Sequence, residues 1–70
     1  MEIELYEIVM IKTDIKNIKS GSIGTVVEIW NDGEGYEVEF LDEEGNVIDC
    51  ISLSKTQVRK LTDEEIKKLD

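Results

Sequence analysis

From Tyr36 to Phe40 the chain alternates strictly: Tyr36, Val38 and Phe40 point one way, Glu37 and Glu39 the other. That two-residue period belongs to a strand with one buried face. The run before it, "IGTVVEIW", is rich in β-branched residues and predicts a second strand. The "NDGEG" between them predicts a hairpin turn in which Gly33 or Gly35 takes a positive φ. Upstream, "LYEIVMIKTD" predicts a first strand over Tyr6–Lys12. The loop "IKNIKSGS" follows, with Ile15 and Ile18 returning to the core. Downstream, "DEEGN" predicts a tight turn with Gly45 left-handed, and "VIDCISL" a fourth strand. "SKTQ" has the size of a single 3-10 turn, and "VRKL" gives a short last strand.

The end of the chain changes character. In "TDEEIKKLD", Thr62 and Glu65 make a capping box and acids fill the first turn, so a helix of about two turns is expected. Asp63–Lys67 and Glu64–Lys68 are spaced to pair one turn apart. So short a helix needs Ile66 and Leu69 to dock, and a lid over one open end of the sheet is the expected role. The pattern therefore predicts an all-β domain over residues 1–61 and a helical tail over 62–70. Five short strands in so few residues call for a small, strongly bent barrel, because closure hides sheet edges.

Phase along the second strand leaves one residue open. Ile23, Thr25, Val27 and Ile29 share one face, while Val26, Glu28 and Trp30 share the other. If the first face is the core, Trp30 stands beside Glu28 on an acidic surface. If the strand bends, Trp30 caps the core instead.

Charge sharpens the picture. Between Ser20 and Ser54 lie nine carboxylates and no cation, so this one segment accounts for the whole net charge of −9. Such a surface repels phosphate backbones and anionic membranes and attracts basic partners. A chain of 70 residues buries only about 60% of its unfolded surface, which leaves little room for a deep substrate cavity. The acidic start lacks the form of a signal peptide, no apolar run spans a membrane, and a lone cysteine forms no internal disulfide. A soluble, cytoplasmic protein is expected.

Reactive chemistry is hard to build from these residues. With no histidine in the chain, serine and cysteine nucleophiles lack their usual base, and Cys50 is expected to be a buried, inert thiol. "GSIG" has no phosphate-loop lysine, and "DEEGN" fails the spacing of a calcium loop, since Val47 stands where the invariant glycine belongs. No catalytic residue, metal site or cofactor is expected.

The stretch "KSGSIGTVVEIW…GYEVEFLDEEGNVI…LSKTQVRKL" resembles the bacterial domain-of-unknown-function family 4926. The likeness is carried by Gly21, Gly24, Thr25, Val26 and Val27 and by Tyr36 to Phe40. It implies a small SH3-like barrel over about Tyr6 to Leu61, distantly similar to KOW-type barrels that bind RNA or protein. It also implies a stand-alone protein in an antitoxin or immunity role. Two departures stand out: Lys16 follows Ile15 where members often have a proline, and the tail runs past the usual domain end.

Together these features favour a non-catalytic interaction module, a monomer or weak homodimer, that binds a basic, toxin-type protein. The contact residues expected are Trp30, Asp32, Glu34, Glu37, Glu39, Asp42, Glu43 and Glu44. The alternative is a KOW-like nucleic-acid module using Lys12, Lys19, Lys55 and Arg59, which the net charge and scarce aromatics disfavour. A further alternative is an accessory or homo-oligomeric domain joined through its tail.

Overall fold

The computed structural model describes residues 3–69, so the outer domain limits at 1 and 70 lie outside the described residues. Five strands form: β1 (Ile8–Ile11), β2 (Ile23–Trp30), β3 (Gly35–Leu41), β4 (Val47–Ser54) and β5 (Val58–Lys60). Helix α1 (Asp63–Lys67) follows them. All pairings are antiparallel, in the order β4-β3-β2-β1-β5. Four strands meander and the fifth returns beside the first, giving the small, barrel-like all-β domain that the pattern predicts, but β4 and β5 do not pair, so the curled sheet keeps two edges instead of closing to hide them.

The core is wholly apolar. Val9, Ile11, Ile18, Val26, Tyr36, Val38, Phe40, Ile51, Leu53 and Val58 form one cluster, and Ile3, Ile15 and Ile29 pack partly against it. Ile15 and Ile18 do return from the loop after β1, exchanging backbone hydrogen bonds with each other at 2.9 and 2.8 Å. The first strand is shorter than expected. Tyr6 adopts φ 68°, its N–H donates to Val26 O at 2.7 Å, and regular pairing begins only at Ile8.

The inward face of β2 changes phase partway along. Gly24 and Val26 face the core in the first half, not Ile23, Thr25 and Val27 as simple alternation suggests. The register then shifts, with Val26 opposite Val38 but Glu28 opposite Glu37, so Val27 is an extra, bulged residue. Beyond the bulge Ile29 faces inward opposite Tyr36, and Glu28 and Trp30 face outward.

Gly24 permits the tight crossing of β2 over β3. A Cβ at this position meets Val38 Cγ1 at 2.7 Å, Glu39 O at 2.8 Å and Phe40 Cδ1 at 3.0 Å. At Gly21 the reason for glycine differs: φ is 93° and space is open. The G-x-x-G spacing thus combines a left-handed entry with a close approach.

A single 3-10 turn, Asn31–Gly33, joins β2 to β3. Its three residues carry φ values of 47°, 56° and 99°, tolerable because Asn, Asp and Gly enter the left-handed region most easily. The turn before β5 closes through one three-residue bond, Gln57 N–H to Ser54 O at 2.9 Å.

The tail is capped as the sequence predicts, with Thr62 Oγ1 accepting from Glu65 N–H and Glu65 Oε1 accepting from Thr62 N–H. Its attachment is different from the expected lid. Leu61, just before the helix, is buried, whereas Ile66 and Leu69 are 37% and 47% exposed. Glu65 instead takes a two-pronged grip from Arg59, Nη1 to Oε1 at 3.0 Å and Nη2 to Oε2 at 2.7 Å. Among the described residues, neither Asp63–Lys67 nor Glu64–Lys68 forms an ion pair.

Two outcomes follow. Gly24→Ala forces the β2–β3 crossing apart and lowers stability by about 2 kcal/mol, read as a drop in the urea midpoint. Arg59, with Thr62 N–H second, holds the Glu65 carboxyl from its ordinary 4.5 down to about 2. Because the folded value is the lower one, the tail contact is intact above about pH 4.5 and is lost as pH falls towards 2. Amide exchange at Lys68 accelerates over that window, and Glu65→Gln abolishes the pH dependence.

Candidate functional site

The outer face of the β2–β3–β4 hairpins carries the acidic segment in ordered rows. Register places Glu28 directly opposite Glu37, and Glu37 opposite Ser52. The adjacent row runs Thr25, Glu39, Cys50. Like charges facing each other across two strands cost about 0.2–1 kcal/mol. Ser52 offsets part of this by donating its hydroxyl to Glu37 Oε1 at 2.5 Å. None of Glu28, Glu37 and Glu39 takes part in an ion pair among the described residues.

The eight residues expected as contacts are spread along β3 rather than gathered at one point. Trp30 lies outward, 42% exposed. It covers Gly35, whose place for a Cβ is 3.8 Å from Trp30 Cδ1. The exposed alternative for this tryptophan is therefore the one realised. Asp32 and Glu34 lie at the same end, but Asp32 borders the open end of the barrel with Ile3, Gly33 and Tyr36. Glu34 is neutralised by Lys55 Nζ at 2.7 Å. Glu37 and Glu39 occupy the middle. At the far end Asp42 is engaged in its own turn, Oδ1 accepting from the N–H of Glu44 at 2.9 Å and of Asn46 at 2.8 Å. Those bonds, Asn46 first, lower its pKa. Glu43 and Glu44 are exposed beside it.

Three apolar residues missed by sequence reasoning stand at that end: Leu41, Val47 and Ile48, exposed by 48%, 58% and 53%. Leu41 also lines a shallow outer groove with Ile8, Ile23, Thr25, Glu39 and Asp42. Glu28 and Ser52 complete this face. Glu28 was legible as outward, but its opposition to Glu37 depends on the bulge.

Cys50 is exposed rather than buried, because it lies on the outward face of the outermost strand. It is nonetheless a poor nucleophile. Partial loss of solvent at the sulfur, then the hydrogen bond and charge of Glu37, then Glu39 and Asp49, push the thiol from 9.0 up to about 11.

The expected cationic residues behave differently. Lys12 N–H donates to Gln57 O at 2.7 Å, so the first strand does run beside the turn that carries Lys55. Lys55, however, pairs with Glu34, Arg59 with Glu65, and Lys60 with Glu7. Lys12 and Lys19 are the members of that set without an ion pair among the described residues. Among the described residues no three acids or cysteines converge to hold a metal ion, and no helix is long and apolar enough to cross a membrane.

A small curled β domain bearing an uncompensated acidic face is the class that fold and surface define. The family model described as Domain of unknown function (DUF4926) matches residues 5–60, and the chain belongs to that family. No curated protein and no solved structure matches it.

Cys50 reports on the acidic rows directly. Its alkylation by iodoacetamide titrates with a midpoint near 11. Glu37→Gln moves that midpoint down towards the ordinary value without reaching it, because the loss of solvent remains.

Proposed function

We propose that this domain is a non-catalytic binding module whose outer acidic face takes a basic protein partner. The observation that carries this is the unequal fate of the two charges on folding. Among the described residues three of the eight cations pair with carboxylates, Glu34, Glu65 and Glu7, and the others lie outside the acidic segment, while Glu28, Glu37 and Glu39 stand together without a cation. A partner's lysine or arginine relieves the repulsion between Glu28 and Glu37 and speeds encounter through the field of the segment. Trp30 borders the rows with a half-exposed ring, the kind of side chain on which interface energy concentrates. A toxin-type protein with a cationic surface fits this description, which is the antitoxin- or immunity-type role the family resemblance suggests.

Binding rather than catalysis is favoured by the interior. No polar or charged residue is buried among the described residues, so no carboxylate is desolvated enough to serve as a tuned acid or base. A nucleic-acid role has less support, since Lys55 and Arg59 already have carboxylate partners.

The test is capture from a lysate by the native protein and by a Glu37→Lys, Glu39→Lys variant. Native protein retains a set of basic proteins at low salt, and both added salt and the variant release them. Removing the Glu28–Glu37 opposition makes the variant as stable as the native protein or slightly more so, by about 0.5 kcal/mol, so unfolding does not explain the loss. If the variant keeps the same proteins at low salt, the acidic face is not the binding surface.

A further inference from the structure

Strand β4 forms one edge of the sheet and is eight residues long, against three residues for β5 at the other edge. Proteins usually blunt such edges with lysine, proline, a bulge or an inward-pointing charge, and on β4 the one such charge, Asp49 opposite Phe40, lies near its beginning. The β4 sequence "VIDCISLS" has neither lysine nor proline. A bulge at Ile48 disturbs only its beginning, where the register steps from Phe40–Asp49 to Leu41–Val47.

The direction of its backbone groups follows from one bond. Lys55 N–H donates to Glu34 O at 3.0 Å, which makes Glu34–Lys55 a hydrogen-bonded position. Alternation then makes Tyr36–Leu53, Val38–Ile51 and Phe40–Asp49 hydrogen-bonded too. Cys50, Ser52 and Ser54 are left with N–H and C=O turned away from the sheet. Side chains cover two of these donors: Asp49 Oδ1 accepts from Cys50 N–H at 2.8 Å and Gln57 Oε1 from Ser54 N–H at 2.8 Å, and the Ser54 C=O already accepts from Gln57 N–H at 2.9 Å. Ser52, between them, has an N–H that no side chain covers among the described residues.

We propose that this edge accepts an extended, lysine- or arginine-bearing segment of a protein partner as a sixth strand. The inference rests on the acidic-face reading and adds to it the manner of docking. Charge selects the occupant. The outward side chains of β4 here are small, Cys50, Ser52 and Ser54. A long cationic side chain on an added strand therefore passes over them towards Glu37 and Glu39. Those glutamates lie two strand spacings away, about 10 Å between backbones, a gap that a lysine and a glutamate side chain span together. A second copy of this chain would bring its own Glu37 and Glu39 to the same face and be repelled.

The probe is a short synthetic peptide alternating lysine with threonine, compared with one of equal charge whose backbone N–H groups are methylated along one edge. Binding is read by titration at low salt, and docking by amide exchange at Cys50, Ser52 and Ser54. The unmodified peptide is expected to bind and slow exchange at Ser52, and the methylated one to bind about tenfold more weakly. Equal affinity of the two peptides overturns strand addition and leaves the acidic face standing. Failure of both to bind at low salt overturns the acidic-face reading as well. Slow exchange at Ser52 that needs no peptide and rises with protein concentration shows that a second copy occupies the edge, which also overturns the proposal.

Discussion

A sheet this small encloses a core only if its longest strands coil, and the coiling of β2 depends on one extra residue. Val27 has no counterpart on β3, so the strand changes phase as it passes. Before it, Gly24 and Val26 fill the interior, and after it Ile29 does. The same step turns Glu28 and Trp30 outward together. The inward set of β2 and the outward placing of Glu28 and Trp30 are therefore set by a single local irregularity. The close approach at Gly24 completes it, since β2 crosses Val38 and Phe40 with no room for a methyl group.

That geometry gives the charges an unequal distribution. Arg59, Lys60 and Lys55 come from the last strand and the turn before it, and they pair with Glu65 of the tail, Glu7 before β1 and Glu34 beside the β2–β3 turn. Exposed ion pairs of this kind contribute little to stability, about 0–1 kcal/mol each. Their larger effect is to remove positive charge from the surface. Among the described residues the glutamates of the outer rows of β2 and β3 have no such counterpart, and the Cys50 thiol beside them is raised first by its partial loss of solvent and then by Glu37, Glu39 and Asp49. Among the described residues no polar or charged residue is buried, so the charged groups all lie at the surface.

Much of the architecture was legible along the chain. The alternation of Tyr36 to Phe40, the left-handed Gly45, a left-handed glycine at Gly33 or Gly35 (Gly33 in the structure) and the Thr62–Glu65 capping box all depend on neighbours within a few residues. For that reason each could be read locally. The first strand is shorter than its β-branched composition suggests, because composition does not reveal that Tyr6 takes a positive φ. Of the acidic residues, composition gave the identity but not the employment. Asp42 is held by its turn and Glu34 by Lys55, partners that a charge count does not distinguish from solvent.

The sequence by itself determined the strand content, the turns, the helix cap and the sign of the surface, because these follow from short-range periodicity, backbone preference and summed charge. Tertiary structure alone decided that Glu28 meets Glu37, that Trp30 lies over Gly35 and that β4 is left as an open edge. Each of those depends on pairing register and strand order, and one bulged residue is enough to reverse which side chains face outward.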